Sequence, residues 1–145
     1  MGRLLAIDYG HKRLGLALSD ETHSIASPLP AELRGEKLFS QLQRLCITHA
    51  VDKIVIGLPV TMRGKEERAA ESIRAFAEQL GKQLKLPIVL LDERLTTAQA
   101  EKLMIGHSVS RKRRKEHIDS LAAAILLQTY LDSQGKPPST GDDAT

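Results

Sequence analysis

Residues 53–58 read Lys-Ile-Val-Ile-Gly-Leu, and this run limits the possible folds more than any other part of the chain. A continuous β-branched run is typical of a strand that is buried on both faces in a parallel sheet. Pro59 ends the run, because proline cannot donate a ladder hydrogen bond. The segment therefore predicts an α/β protein in which helices cover both faces of a sheet.

The hydrophobic periodicity predicts three strands, a helix, a strand, a helix, a strand and two helices, in that order. Residues 4–9 and 14–19 form a predicted hairpin, and Pro28 and Pro30 make the third strand irregular or place it at an edge. We therefore expect a mixed sheet of three antiparallel strands followed by two parallel strands. The predicted strands are residues 4–9, 14–19, about 23–33, 53–58 and 87–91, and the predicted helices are about 36–46, 66–84, 97–105 and 116–131.

The length of 145 residues fits one ordinary domain. We expect a single domain over residues 1–132 and a disordered tail over residues 133–145, where Gly135, Pro137, Pro138 and Gly141 cluster. The single Cys46 excludes a disulfide within the chain. The sequence shows neither a signal peptide nor an apolar stretch of roughly 20 residues, so we expect a cytoplasmic protein with no membrane contact.

Three acidic residues stand where apolar residues would be expected. Asp8 and Glu93 follow apolar strands, and Asp119 interrupts the apolar face of the last helix. Ligands of open α/β sheets bind beyond the carboxyl ends of the strands, so these side chains can face one crevice. Hard divalent cations such as Mg²⁺ prefer oxygen ligands, and without a cation one of the acids should have a raised pKa.

Each acid also has a structural interpretation. Asp8 could stabilise the turn through Gly10, Asp119 could be a helix acid favoured by the dipole, and Glu93 could pair with Arg94. The spacing alone leaves both interpretations open.

The positive charge is concentrated in one short segment. The formal net charge is +3 and the isoelectric point is near 9.1, and five consecutive cations favour a polyanionic partner, although a solvated basic loop explains them equally well. Aromatic residues make up only 3% of the chain, which argues against recognition of single strands by base stacking. Contacts with the sugar-phosphate backbone of the nucleic acid should dominate instead. The five cations are Arg111, Lys112, Arg113, Arg114 and Lys115.

Four sequence blocks together resemble the YqgF/RuvX family of candidate pre-16S rRNA nucleases and Holliday-junction resolvase-like proteins. In order, they are IDYGHKRLGLALSD, IVIGLPV, LLDERLTT and HIDSLAAAILLQ, and the likeness extends from about residue 4 to residue 131. The resemblance implies a ribonuclease-H-like fold. It also implies that Asp8, Glu93 and Asp119 are the catalytic acids of a metal-dependent endonuclease that trims the 5′ end of the 16S rRNA precursor.

Some positions differ from the family pattern. His11 stands where Thr or Ser is usual, and Thr61 and Arg63 replace Asn and Asp, which puts substrate preference in question more than chemistry. A turn similar to Asp8-Tyr9-Gly10 binds phosphate in ATPases of similar fold. Those ATPases need two domains around the nucleotide, so one short domain argues against an ATPase.

We therefore predict an endonuclease that uses Mg²⁺ or Mn²⁺ held by the three acids and acts on structured RNA as a monomer or homodimer. The sugar-phosphate backbone of the RNA would be bound by Lys12, Arg13, Arg94 and the cations at 111–115. Arg94 could instead pair with Asp92 or Glu93. The alternatives are a dimeric Holliday junction resolvase acting on branched DNA and a non-catalytic assembly factor that binds nucleic acid.

Overall fold

A five-stranded mixed sheet forms the centre of the computed structural model, which describes residues 2–9, 14–29, 37–58, 64–93, 102 and 118–135. The spatial order of the strands is β3-β2-β1-β4-β5. Strands β1, β2 and β3 pair antiparallel, whereas β4 pairs parallel with β1 and β5 pairs parallel with β4. This arrangement confirms the predicted mixed sheet. The strands are β1 (Arg3–Tyr9), β2 (Leu14–Ser19), β3 (Ala26–Pro28), β4 (Val51–Leu58) and β5 (Ile88–Asp92).

Helices cover both faces of the sheet, as the buried run in β4 requires. Helices α1 (Leu38–Thr48) and α2 (Gly64–Leu84) pack on one face, and α3 (Ile118–Gly135) packs on the other. Side chains alternate along a strand, so β1 contributes Leu5 and Ile7 to the core under α1 and α2. Leu4 and Ala6 of the same strand contribute to the core under α3.

The helix α2 is amphipathic, and its apolar stripe explains where it packs. Ala70, Ile73, Ala77 and Leu80 recur at intervals of three and four residues and are all buried. The residues between them are largely exposed. The stripe therefore lies against the sheet.

The helix α3 is buried around its whole circumference over residues 126–131. A helix that is apolar on all sides belongs in the interior of a protein, and this one has only one fully buried amide side chain. The Gln128 amide accepts a hydrogen bond from the Ala26 backbone N–H at 2.9 Å and donates to the Ser24 carbonyl at 3.1 Å. This amide therefore fastens β3 to α3.

The third strand begins at Ala26 and not near residue 23, because a turn stabilised by side-chain hydrogen bonds precedes it. Residues 30–33 of the predicted range lie outside the described residues. The Asp20 carboxylate accepts hydrogen bonds from the backbone N–H groups of Ser24 and Ile25, at 2.7 and 3.0 Å. Those donors are thereby withdrawn from the sheet ladder. Regular pairing begins only at Ala26.

The end of the last helix and the burial of the last strand also differ from the predictions. The last helix does not end at about residue 131 but continues to Gly135, and the Ser133 hydroxyl donates to the Tyr130 carbonyl at 2.8 Å. Residues 133–135 are therefore helical and do not belong to the predicted tail. Strand β5 is a sheet edge in the part of the chain that the structure describes, and Leu90 is 39% exposed there, so β5 is not the fully buried strand we expected.

The rest of the predicted tail, the predicted helix over 97–105 apart from residue 102, and the basic segment lie outside the described residues. In the described part of the chain, no helix has the length and apolar character that a bilayer crossing demands.

Replacing Gln128 by Leu should lower the free energy of unfolding by about 2–4 kcal/mol, because it leaves the buried Ala26 N–H without a partner and removes the bond to the Ser24 carbonyl. Urea denaturation of the purified variant measures this loss. The matched control is Gln79→Leu on the exposed side of α2, where we expect a change within about 0.5 kcal/mol. Equal effects of the two substitutions would contradict the proposed role of Gln128.

Candidate active site

Asp8 lies near the carboxyl end of β1 and belongs to the sheet face that α3 covers. Leu4 and Ala6, four and two residues earlier, are buried in the core under α3, and alternate strand residues share a face. Asp8 is only partly buried, whereas the preceding residues of that face are fully buried. The carboxylate therefore stands at the point where the apolar core ends.

Glu93 reaches the same face from β5. Val89 and Leu91 pack in the core under α3, and Glu93 follows Leu91 by two residues. Strands β1, β4 and β5 are parallel, so their carboxyl ends meet at one edge of the sheet. The register places Asp8, Gly57 and Leu91 in one row across these three strands.

Gly57 supplies the space through which Glu93 approaches Asp8. A Cβ atom at residue 57 would lie 2.8 Å from Glu93 Oε2 and 3.0 Å from Leu126 Cδ2. A separation of 2.8 Å is shorter than Cβ atoms make in proteins, and one of 3.0 Å is tighter than most such contacts, so a larger residue would displace the end of the Glu93 or Leu126 side chain. The Glu93 carboxylate therefore lies directly over the middle strand, between its own strand and Asp8.

The environment of Glu93 raises its pKa from 4.5 to about 7. Burial makes the largest contribution, followed by the charge of Asp8, the side-chain hydrogen bond with Asp8 and the charge of Asp92. Two carboxyl groups can hydrogen-bond only when one of them holds a proton. The two carboxyl groups are therefore positioned to share a proton or a cation between their oxygens.

The arrangement fits a divalent cation chemically. Two converging carboxylates are hard oxygen ligands of the kind that Mg²⁺ and Mn²⁺ prefer, and such a cation would take the place of the shared proton. Among the described residues, no group of three or more His, Cys, Asp or Glu side chains that could hold a metal ion is found.

The first turn of α3 lies at the same edge of the sheet. The Ser120 hydroxyl donates to the Leu29 carbonyl, at 3.3 Å, just beyond the end of β3. At the other end of the helix, the Tyr130 hydroxyl accepts from Lys53 Nζ, at 3.4 Å, near the start of β4. The helix therefore runs antiparallel to β4, and residue 119 lies in its first turn.

The structure thus brings together two of the three predicted acids. The side chain of Asp119 lies outside the described part of the chain, and so do all the predicted backbone contacts and the positions that differ from the family pattern. Those residues are Lys12, Arg13, Arg94, Arg111, Lys112, Arg113, Arg114, Lys115, His11, Thr61 and Arg63.

Sequence analysis missed the role of Gly57, although a signal was present. A glycine inside an otherwise β-branched strand often marks a close approach of another group. Leu126 covers the same glycine from α3.

Comparison with known proteins connects this site to a family. A family model described as RuvX, Holliday junction resolvase, matches residues 2–133. A candidate pre-16S rRNA nuclease of Pelotomaculum thermopropionicum is 44% identical over 138 residues, which make up 93% of this chain and 90% of that protein.

Solved structures share the fold at much lower identity. RuvC of T. thermophilus in complex with a Holliday junction substrate has a TM-score of 0.60 and 12% identity, over 93% of this chain and 97% of that chain. The Fowlpox virus resolvase in complex with Holliday junction DNA has a TM-score of 0.53 and 13% identity, over 92% of this chain and 99% of that chain. These similarities confirm the ribonuclease-H-like fold class.

The raised pKa of Glu93 predicts a pH-dependent stability of the metal-free protein. A carboxyl group whose pKa is raised from 4.5 to about 7 favours the folded state below pH 4.5, and this contribution is lost as the pH rises through about 7. Glu93→Gln removes the titration. The variant should therefore melt higher than the parent at about pH 8, by a margin that shrinks towards about pH 4.

Thermal denaturation in EDTA, from about pH 4 to about pH 8, measures the difference in melting temperature between Glu93→Gln and the parent. The control is Glu78→Gln on α2, whose side chain is 72% exposed and pairs with Lys82 at the surface, so this substitution should change the melting temperature little. A margin for Glu93→Gln that is the same at every pH would contradict the assigned pKa shift.

Proposed function

This chain belongs to the RuvX family, and from that premise we propose that it is a metal-dependent endonuclease that hydrolyses phosphodiester bonds in precursor 16S rRNA. The observation that carries the proposal is the convergence of Asp8 and Glu93 over Gly57 at the carboxyl edge of the parallel strands. Open α/β sheets bind their ligands at this edge. The name of the 44% identical relative supports a ribosomal RNA substrate.

In this proposal, Asp8 and Glu93 hold Mg²⁺ or Mn²⁺, and Asp119 supplies the third carboxylate. Leu126, which lies against Gly57, follows Asp119 by seven residues, or two helical turns, and residues at that spacing share a helix face. When bound, divalent ions at such a site activate the attacking water and stabilise the leaving oxygen. The apolar core directly below the acids keeps the carboxylates in place.

The polyanionic substrate requires cations around this acidic site. We assign backbone binding to Lys12, Arg13, Arg94 and the five cations Arg111, Lys112, Arg113, Arg114 and Lys115. Maturation of ribosomal RNA implies that the protein acts in the cytoplasm. Cutting one RNA strand needs one active site, so a monomer is sufficient for this activity.

The description of the family model favours a second candidate, a Holliday junction resolvase. Symmetric cleavage of a junction cuts two strands and therefore requires a homodimer. The assay below compares the two substrates directly.

Asp8→Asn should lower the rate of Mg²⁺- or Mn²⁺-dependent cleavage at least about 100-fold, because it removes a ligand charge worth several kcal/mol in the transition state. The measurement is cleavage of precursor 16S rRNA beside a four-way DNA junction, for parent and variant. Asp52→Asn is the matched control, because Asp52 is exposed near the opposite end of β4 and accepts a hydrogen bond from the Gly2 N–H at 2.9 Å.

Faster cleavage of the rRNA precursor supports the first candidate, and faster cleavage of the junction by a dimer supports the second. RNA binding without metal binding and without cleavage would favour a non-catalytic assembly factor. An Asp8→Asn variant as active as the parent would overturn the metal-site proposal.

Gly57→Ala should weaken Mn²⁺ binding about tenfold or more and slow cleavage, because the added methyl group displaces the Glu93 carboxylate. Calorimetric titration with Mn²⁺ measures the affinity. Gly81→Ala in α2 is a control of the same chemistry, since an added Cβ there would lie 3.1 Å from Ile88 Cγ1, away from the acids. Unchanged Mn²⁺ affinity in Gly57→Ala would show that metal binding by Glu93 does not depend on a glycine at residue 57.

A further inference from the structure

Three of the four aromatic side chains form one cluster behind the acidic edge. The chain has two Tyr and two Phe residues, and all four lie in the described part of the structure. The Tyr9 and Phe76 ring centroids are 4.9 Å apart with the rings edge to face, and the Phe39 and Phe76 rings stack at 5.5 Å. A chain so poor in aromatic residues has therefore concentrated them at one place.

Tyr9 is the exposed member of this cluster. Its side chain is 37% exposed, whereas Phe76 and Tyr130 are 8% and 7% exposed. Edge-to-face contact with Phe76 fixes the orientation of the Tyr9 ring. A ring that is packed on one side and still partly exposed can stack on a further ring, because its orientation is already restrained.

The position of Tyr9 relative to Asp8 determines what can stack on it. The two residues are consecutive, with Cα atoms about 3.8 Å apart, and their side chains lie on opposite faces of β1. A phosphate held on the Asp8 side can therefore have its neighbouring nucleotide directed towards the other face of β1, where Tyr9 lies. A base in a duplex is stacked and paired, so only an unpaired base can make this turn.

We propose that the Tyr9 ring is a stacking site for one unpaired base next to the scissile phosphate. The proposal rests on the proposed function for the position of that phosphate. It defines the substrate class further, as RNA that is single-stranded at the point of cleavage. The low aromatic content argued against stacking platforms, but one base needs only one ring.

The test measures RNA binding without cleavage. All proteins carry Asp8→Asn, and fluorescence anisotropy gives the Kd for a single-stranded RNA oligonucleotide in which one abasic nucleotide is moved along the sequence. With Tyr9 present, an abasic nucleotide at one position should weaken binding about 5-fold to 150-fold, the range expected for a stacked base. Tyr9→Phe should keep this base dependence.

Tyr9→Leu keeps an apolar side chain against Phe76 but has no aromatic face, so it should bind intact and abasic RNA almost equally. At the sensitive position, 2-aminopurine should lose fluorescence on binding to the protein that retains Tyr9 and to the Tyr9→Phe variant, but not to the Tyr9→Leu variant. If Tyr9→Leu weakens binding of intact and abasic RNA by the same factor, or if no position is sensitive, the stacking proposal is overturned.

The outcome is separable from that of the proposed function. Metal-dependent cleavage is measured on proteins that retain Asp8, and its absence together with base-dependent binding would overturn the nuclease proposal alone. Normal cleavage with no base dependence would overturn the stacking site alone.

Discussion

The hydrogen bond between the carboxyl groups of Asp8 and Glu93 is the interaction on which the acidic site depends. Two carboxylates cannot approach so closely while both are ionised, and the contact raises the pKa of Glu93 towards neutrality. The apolar residues beneath the pair do nothing to relieve this repulsion, since burial itself disfavours the charged form. The fold therefore holds two carboxyl groups at a separation where ionisation of both is unfavourable, which is typical of a site that binds a cation.

The middle strand makes this arrangement possible. Strand β4 lies between the strands that end in the two acids, and a side chain at residue 57 would separate them. Glycine is a poor strand residue, because it loses more conformational entropy on folding and contributes no packing. The buried neighbours Val55 and Ile56 offset this cost locally, and Leu126 closes the gap from the helix side.

The part of the site that lies on the sheet could be predicted from the sequence, because parallel strands bring their carboxyl ends together whatever their exact register. Asp8 and Glu93 were predicted on this basis. The position of Gly57 required the register itself, which places it in one row with Asp8. The hydrophobic periodicity of the sequence does not determine the register between neighbouring strands.

Side-chain hydrogen bonds that compete with regular backbone pairing explain most of the boundaries that the sequence did not predict. Asp20 draws backbone donors into a turn and shortens β3, although the sequence there is compatible with a longer strand. The extension of α3 to Gly135 depends on side-chain contacts such as that of Ser133 with the Tyr130 carbonyl. The exposure of β5 follows from its place at the edge, which depends on the strand order and not on its own apolar sequence.

Strand alternation would give the end of β1 two functions in the proposed complex. Because consecutive side chains point to opposite faces, one short segment can present a carboxylate to one side and an aromatic ring to the other. In the proposed complex, phosphate chemistry and base recognition are thereby divided between two faces of a single strand end. Each face also has its own support, since α3 packs behind Asp8 and the aromatic side chains of α1 and α2 pack behind Tyr9. The same strand therefore sets the distance between the cleaved bond and the recognised base, and no flexible segment is needed to fix it.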